Sequence, residues 1–192
     1  MNKRLWSDIA SALAPQAAFL TQSDQFVRQA AVMLLITDEV SPQIIFTLRA
    51  KHLTYHPGEV CFPGGMWEPQ DATLLQSALR ETHEEIGLPP HLMEVLGALP
   101  VRPTRGGTIV TPFVARIPAN YCFELNPNEL DALFTVPLDQ FRVGLQIRTD
   151  IFEHNDQQFH MPAYAYQDYE IWGFTAAVTA DFLTLLRPLF NQ

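Results

Sequence analysis

The chain has 192 residues, 47% of them hydrophobic and 17% charged, with a formal net charge of −9 from 12 basic and 21 acidic side chains. That length and mixture exclude a disordered chain and suit one globular domain able to bury about 70% of its unfolded surface. The acidic balance argues against generic nucleic-acid binding, which needs a basic footprint; an acidic protein that handles an anion needs a metal and a few well-placed arginines. Cys61 and Cys122 are isolated and fit neither a disulfide framework nor a zinc site, so they read as reduced residues of a cytoplasmic protein. Asp8 interrupts any apolar leader, and no run of about 18 apolar residues is present to span a membrane.

In chain order, Leu5, Ile9 and Leu13 recur four apart, predicting a short amphipathic helix over 4–14 that Pro15 ends, packed on the edge of the domain. It belongs to an N-terminal helical extension over 1–24. Residues 30–37 form a continuous apolar run that suits a buried strand, and 43–49 follow the Ser41-Pro42 turn as its hairpin partner. Arg49 closes that strand beside a polar loop, 50–57, that carries Lys51, His52 and His56. Val60 to Phe62 lead into Pro63-Gly64-Gly65. Residues 93–101 and 109–117 alternate as strands around the loop 103–107, where Arg105, like Arg102 beside it, is a candidate for an anionic ligand or a solvated surface arginine. Glu129 to Phe134 is predicted as a short helical turn, 142–172 as further strands, and 175–186 as a final helix capped by Thr175 and closed by Pro188.

The stretch Gly64 to Leu88 organises the rest. Glu81, Glu84 and Glu85 are three and four apart, so a helix places them within one turn of one another. Carboxylates so crowded either form a solvated acidic face or gather a cation, and oxygen ligands suit a hard divalent ion such as Mg²⁺ or Mn²⁺. The glycines allow close backbone approach and offer carbonyls to a metal. Arg80 stands four residues before Glu84 and can hold it as an ion pair; Leu75, Leu79 and Ile86 form a separate apolar face; Gly87 and the prolines at 89 and 90 stop the helix.

With Arg80-Glu81, Glu84-Glu85, Gly87 and Leu88 in place, the stretch resembles the Nudix box, G-x5-E-x7-R-E-U-x-E-E-x-G-U. The first half fits if the loop is one residue longer, with Gly65 and Asp71 in the glycine and glutamate roles, and Thr82 replaces the apolar U. The flank 48–65, LRAKHLTYHPGEVCFPGG, is similar to the motif before the box in the coenzyme A pyrophosphatase branch, with Ala50 where serine and Thr54 where arginine is usual. Segments at 110–114, 126–138 and 171–176 resemble later parts of that branch, so the likeness runs over about 28–186.

The resemblance implies a single Nudix domain over 1–192, an α/β/α sandwich with a mixed β-sheet and the box helix packed on it. It implies a metal-dependent hydrolase that cleaves coenzyme A or acyl-CoA to 4′-phosphopantetheine, or its acyl form, and adenosine 3′,5′-bisphosphate. The alternatives are hydrolysis of ADP-ribose, NADH or a nucleoside triphosphate, and a non-catalytic nucleotide sensor. It implies Mg²⁺ or Mn²⁺ on Glu81, Glu84, Glu85 and the Gly65 carbonyl, with Glu81 first to activate water and Arg80 as a brace. Arg49, His56, Gly64 and Arg105 are the expected substrate contacts, though for His56, a lone histidine beside Pro57, holding its loop in shape is the reading preferred. Glu129 reads as a further base or ligand, or as an exposed turn glutamate, the reading preferred. The partner expected is a small nucleotide, not nucleic acid or a membrane, with a homodimer left open.

Overall fold

The computed structural model describes residues 3–14, 28–154 and 157–190. Helix α1 (Lys3–Ala12) is followed by strands β1 (Gln29–Asp38) and β2 (Gln43–Arg49), the short β3 (Val60–Cys61) and β4 (Gly64–Met66), and helix α2 (Leu74–Ile86). Strands β5 (Glu94–Ala98), β6 (Arg102–Pro103), β7 (Ile109–Pro118) and β8 (Leu130–Pro137) complete the main sheet. A four-residue helix α3 (Gln140–Val143), strands β9 (Gln146–His154), β10 (Gln157–Tyr166) and β11 (Tyr169–Ile171), and helix α4 (Gly173–Phe190) follow.

The main sheet is mixed, as expected. β1 lies parallel to β7 from Gln29 opposite Ile109 to Asp38 opposite Pro118, and antiparallel to β2. At its start, β1 is free of β2 and takes β4 instead, with Ala31 opposite Gly65 and Val32 opposite Gly64. This fork brings the glycine loop into the middle of the sheet. β9, β10 and β11 form a separate three-stranded antiparallel sheet.

Because β1 is buried on both faces, its side chains divide between two cores. Ala31, Met33 and Leu35 join Leu74, Ala78 and Ile86 of α2 on one side; Leu34 and Ile36 join Phe46, Val136, and Val178 and Phe182 of α4 on the other. The sheet is thus covered by α2 on one face and by α1 and α4 on the other, the layered α/β arrangement the sequence implies. α1 is more than an edge decoration: Trp6, Ile9 and Leu13 are buried in the second core, and the Trp6 indole N–H donates to Asp38 at 2.9 Å. Residues 15–24 of the expected N-terminal extension lie outside the described residues.

Three expectations are corrected. Residues 130–134 are strand, not helical turn: the segment pairs antiparallel with β2, with Phe134 and Val136 entering the core beneath α4 and Leu130, past the ladder irregularity at Arg49, the core beneath α2. Thr175 does not cap the last helix. That helix already begins at Gly173, and the Thr175 hydroxyl instead donates to the Val60 carbonyl at 2.9 Å, tying α4 to the strand before the glycine loop. Pro188 lies inside α4 rather than closing it. Among the described residues, no helix is long and apolar enough to cross a membrane.

Candidate active site

The box helix is defined at both ends. Thr73 caps it, accepting from the Gln76 N–H at 3.1 Å while Gln76 reaches back to the Ala72 N–H, a close variant of a capping box. Gly87 ends it in the left-handed conformation at φ 70°, its N–H bonded to the His83 carbonyl. The buried face runs through Leu74, Ala78 and Ile86, with Leu75 and Leu79 partly buried beside them. Thr82, at the position where the box has an apolar residue, is fully buried and satisfies its hydroxyl on the Ala78 carbonyl at 2.6 Å.

Arg80 is the hub of the site. Its guanidinium donates to both Asp71 oxygens at 3.0 and 2.9 Å, to Glu81 at 2.9 Å, to Glu84 at 3.1 Å and to the Met66 carbonyl at 3.3 Å. The expected Arg80–Glu84 pair is therefore present, and Asp71 gains a definite place. It is buried, its Oδ2 also accepts from the Glu68 N–H, and its carbonyl accepts from the Trp67 indole. Hydrogen bonding to Arg80 holds the Asp71 carboxyl below the usual range. The extra loop residue is thus accommodated by a turn that folds Asp71 back under the arginine.

The three glutamates are not equivalent. Glu84 is exposed, Glu81 half-buried and Glu85 buried, with 2% of its surface accessible. Burial raises the Glu81 carboxyl, opposed by Arg80. Burial pushes Glu85 up to about 8, opposed by the Gly64 N–H that donates to it at 3.2 Å and reinforced by the charges of Glu129 and Glu81. The C-terminal half of a helix also carries the negative end of its dipole, an unfavourable place for carboxylates.

The glycines explain this packing. A Cβ on Gly65 would fall 2.4 Å from the Glu81 carboxyl carbon, so the Glu81 head lies directly on the Gly65 backbone. Gly64 has φ 146° and a Cβ there would meet the Ala31 carbonyl oxygen at 2.3 Å, because β4 runs beside β1.

Glu129 is the residue the sequence undervalued. Its charge acts on both Glu81 and Glu85, it is half-buried, and Asn126 donates to its carboxylate at 3.1 Å. The signal was Asn126-Pro127-Asn128, a turn that presents the next side chain into the fold. Arg49 also reaches the cluster. Its charge opposes the rise of Glu85, and its Nε is buried without a hydrogen-bond partner among the described residues.

The other expected contacts divide. His56 is exposed in the left-handed region at φ 56° and binds Glu59 at 2.9 Å, so it shapes its own loop. Arg105 lies on the turn between β6 and β7. Arg102 does not serve as an anion contact. It grips Asp181 of α4 through two bonds, at 2.5 and 2.7 Å. Cys61 is a partly buried thiol hydrogen-bonded to Thr47, and loss of solvation pushes it up to about 12, which leaves it unreactive.

The donor set suits a hard divalent cation. Five carboxylates (Asp71, Glu81, Glu84, Glu85, Glu129) face two guanidiniums (Arg80, Arg49), and the surplus negative charge centres on Glu81 and Glu85, whose protonated forms the site favours. Among the described residues no three such side chains already converge as a metal cage, since Arg80 draws Glu84 outward and Asp71 beneath. A cation would compete with Arg80 for Glu84 and with protons for Glu85.

An acidic helix, a glycine loop beside it and an arginine brace on a mixed, helix-covered sheet define a Nudix-type hydrolase site. Residues 27–157 match the NUDIX domain family, and the chain belongs to it. It is an enzyme, a pyrophosphohydrolase acting on a nucleotide derivative, and members of the family use divalent metal ions. It is 37% identical over 155 residues, 80% of each chain, to a protein of Enterobacter sp. (strain 638) named uncharacterized Nudix hydrolase NudL. It is 36% identical over 170 residues to the protein of the same name from Salmonella dublin, covering 88% of this chain and 86% of that one. Among solved structures, a MutT/nudix family protein from Enterococcus faecalis aligns with a TM-score of 0.55 at 14% identity, over 90% of this chain and 65% of that one, a likeness of fold.

Proposed function

We propose that the enzyme hydrolyses the pyrophosphate bond of coenzyme A or acyl-CoA, releasing 4′-phosphopantetheine, or its acyl form, and adenosine 3′,5′-bisphosphate. The observation that carries this reading is the placement of the flanking motif. β2 and the loop after it, which hold Arg49 and the residues in register with the coenzyme A branch, run directly into the glycine loop and stay hydrogen-bonded to the Glu129 segment. A ladder irregularity between Leu48 and Arg49 breaks the β2–β8 register at that arginine, a device that re-aims a side chain near a site. The buried Arg49 Nε, which has no partner among the described residues, suits an anionic phosphoryl oxygen.

Mg²⁺ or Mn²⁺ on Glu81, Glu84, Glu85 and the Gly65 carbonyl would supply the positive charge that phosphoanhydride cleavage needs. Glu81, half-buried against Gly65 with a raised proton affinity, is positioned to orient the attacking water and take its proton. Arg80 fixes the rotamers of Glu81 and Glu84 and does not touch substrate. Glu129 faces the same two carboxylates and serves as a further base or ligand. Arg49 contacts phosphate, while Lys51 and Arg105 are the further candidates for the 3′-phosphate.

One observation favours a second reading, a Nudix hydrolase of another nucleoside diphosphate derivative. Thr54 removes the arginine usual at that position of the flank, and with it a phosphate contact. A substrate panel of coenzyme A, acetyl-CoA, ADP-ribose, NADH and nucleoside triphosphates, with products identified at varied metal, separates the two. Turnover of ADP-ribose with coenzyme A and its thioester untouched overturns the coenzyme A assignment.

A further inference from the structure

We propose that the cavity between α4 and the β9–β10 hairpin is a second binding site, for a small organic phosphate of mononucleotide size. The cavity measures about 560 Å³, within the range of small-molecule sites. It lies across the main sheet from the box, since α4 packs on the face opposite α2, and no residue of the box lines it. The inference does not depend on which substrate the box cleaves.

Two periodicities build its walls. Ala180, Leu183, Thr184 and Arg187 fall three and four apart on one face of α4, while Phe182 and Leu186 on another face enter the core. His160, Pro162 and Tyr164 alternate along β10 and so share one side of the small sheet, with Thr149 opposite Pro162 on β9. α3, closed by Gly144 at φ 117°, adds Phe141 and Arg142.

The lining has a definite charge. Arg142, Arg187 and His160 face the cavity, and among the described residues no Asp or Glu lines it, on a chain whose net charge is −9. Arg187 acts within the cavity, where its charge offsets part of the rise that burial imposes on the Tyr164 phenol. Two guanidiniums are the side chains best suited to grip a phosphate through paired bonds. Phe141, Pro162 and Leu183 supply the apolar surface on which the organic part of a ligand rests, and Gln146, Thr149 and Thr184 supply partners for hydroxyls. Inorganic phosphate would use only the first of these sets; a mononucleotide uses all three.

Titration followed by amide NMR tests this, with a chelator present so that no metal supports binding at the box. AMP, ribose 5-phosphate and inorganic phosphate are added to the native protein and to the variants Arg187→Glu, Arg187→Lys and Thr184→Trp. The expected result is saturable AMP binding at about 1 mM or tighter, with shifts in α4 and β10 rather than α2. Arg187→Glu should weaken it about tenfold or more, Arg187→Lys should restore part, and Thr184→Trp, at an exposed position, should fill the cavity and abolish binding without unfolding the chain. Ribose 5-phosphate should bind between AMP and phosphate. Saturation absent at about 10 mM, AMP no tighter than inorganic phosphate, or binding unchanged in both Arg187→Glu and Thr184→Trp would overturn the proposal.

Discussion

Glu85→Gln should stabilise the metal-free enzyme at alkaline pH. The native carboxyl is buried and its proton affinity lies at about 8 against an ordinary 4.5, chiefly through burial. A carboxyl whose folded value is raised binds its proton more tightly in the fold than in the unfolded chain. Stability is therefore full below the unfolded value and is lost as pH climbs through the folded one. The shift sets a ceiling of about 5 kcal/mol on that loss by pH 9. The amide oxygen of glutamine can still accept from the Gly64 N–H, so the substitution removes the charge and keeps the packing. Allowing for relaxation and water entry, we expect a gain of about 2 kcal/mol at pH 9, or about 4–8 °C in Tm for a chain of this size. The gain should shrink toward zero at pH 5. Urea denaturation in chelator at both pH values measures it directly. With saturating Mg²⁺ the order should reverse, because only the native glutamate gains from the ion. A variant that is equally destabilised at pH 5 and pH 9 in chelator would refute the reasoning, since Glu85 would then be held as comfortably charged as any paired carboxylate.

Glu84→Gln should reduce metal-dependent turnover about a hundredfold or more with little effect on folding, because Glu84 is exposed and its bond to Arg80 is a surface one; turnover at the native level removes it from the site. Gly65→Ala should fold and lose activity, about a hundredfold in kcat, since the new methyl meets the flexible end of Glu81. Gly64→Ala should cost about 3 kcal/mol or more in a thermal melt, because there the obstacle is the Ala31 backbone and the φ is one that favours glycine. Asp71→Ala should cost about 3 kcal/mol by leaving Arg80 without its two-bond partner. The Asp71 contribution should also fade as pH falls below about 4, since a depressed carboxyl stabilises only above its unfolded value.

The box was legible in the sequence because its chemistry is local: residues three and four apart meet on any helix. The Arg80–Glu84 pair, the helix stop at Gly87 and the β1–β2 hairpin followed from spacing and punctuation alone. What spacing could not supply was depth. Glu81, Glu84 and Glu85 look alike in sequence, yet Glu84 is exposed, Glu81 rests half-buried on Gly65, and Glu85 is buried where the stripe of Leu74, Ala78 and Ile86 continues through it. Asp71 was harder to place because its role depends on a turn that folds it under Arg80 from nine residues away. The strand at 130–137 was misread because its alternation is short and follows a turn. Its identity comes from β2, some eighty residues earlier, which offers the ladder.

That distant ladder also ties the loop after β2 to the acidic cluster. The segment 126–131 places Glu129 among the box carboxylates and at the same time clamps the loop after β2. The Glu129 carbonyl accepts from the Ala50 N–H at 2.8 Å, the Asn128 carbonyl meets the His52 ring at 3.1 Å, and Asp131 accepts from the Lys51 N–H at 3.1 Å. Any displacement of the loop that carries Arg49, Lys51 and His56 therefore pulls on the backbone that aims Glu129. On the proposed function, a ligand seated on the flank would be coupled to the carboxylates through these three hydrogen bonds. If the coenzyme A reading holds, Thr54 in place of that branch's arginine removes a charge from the loop but leaves the clamp intact, and its effect should fall on substrate affinity before it falls on the cleavage step.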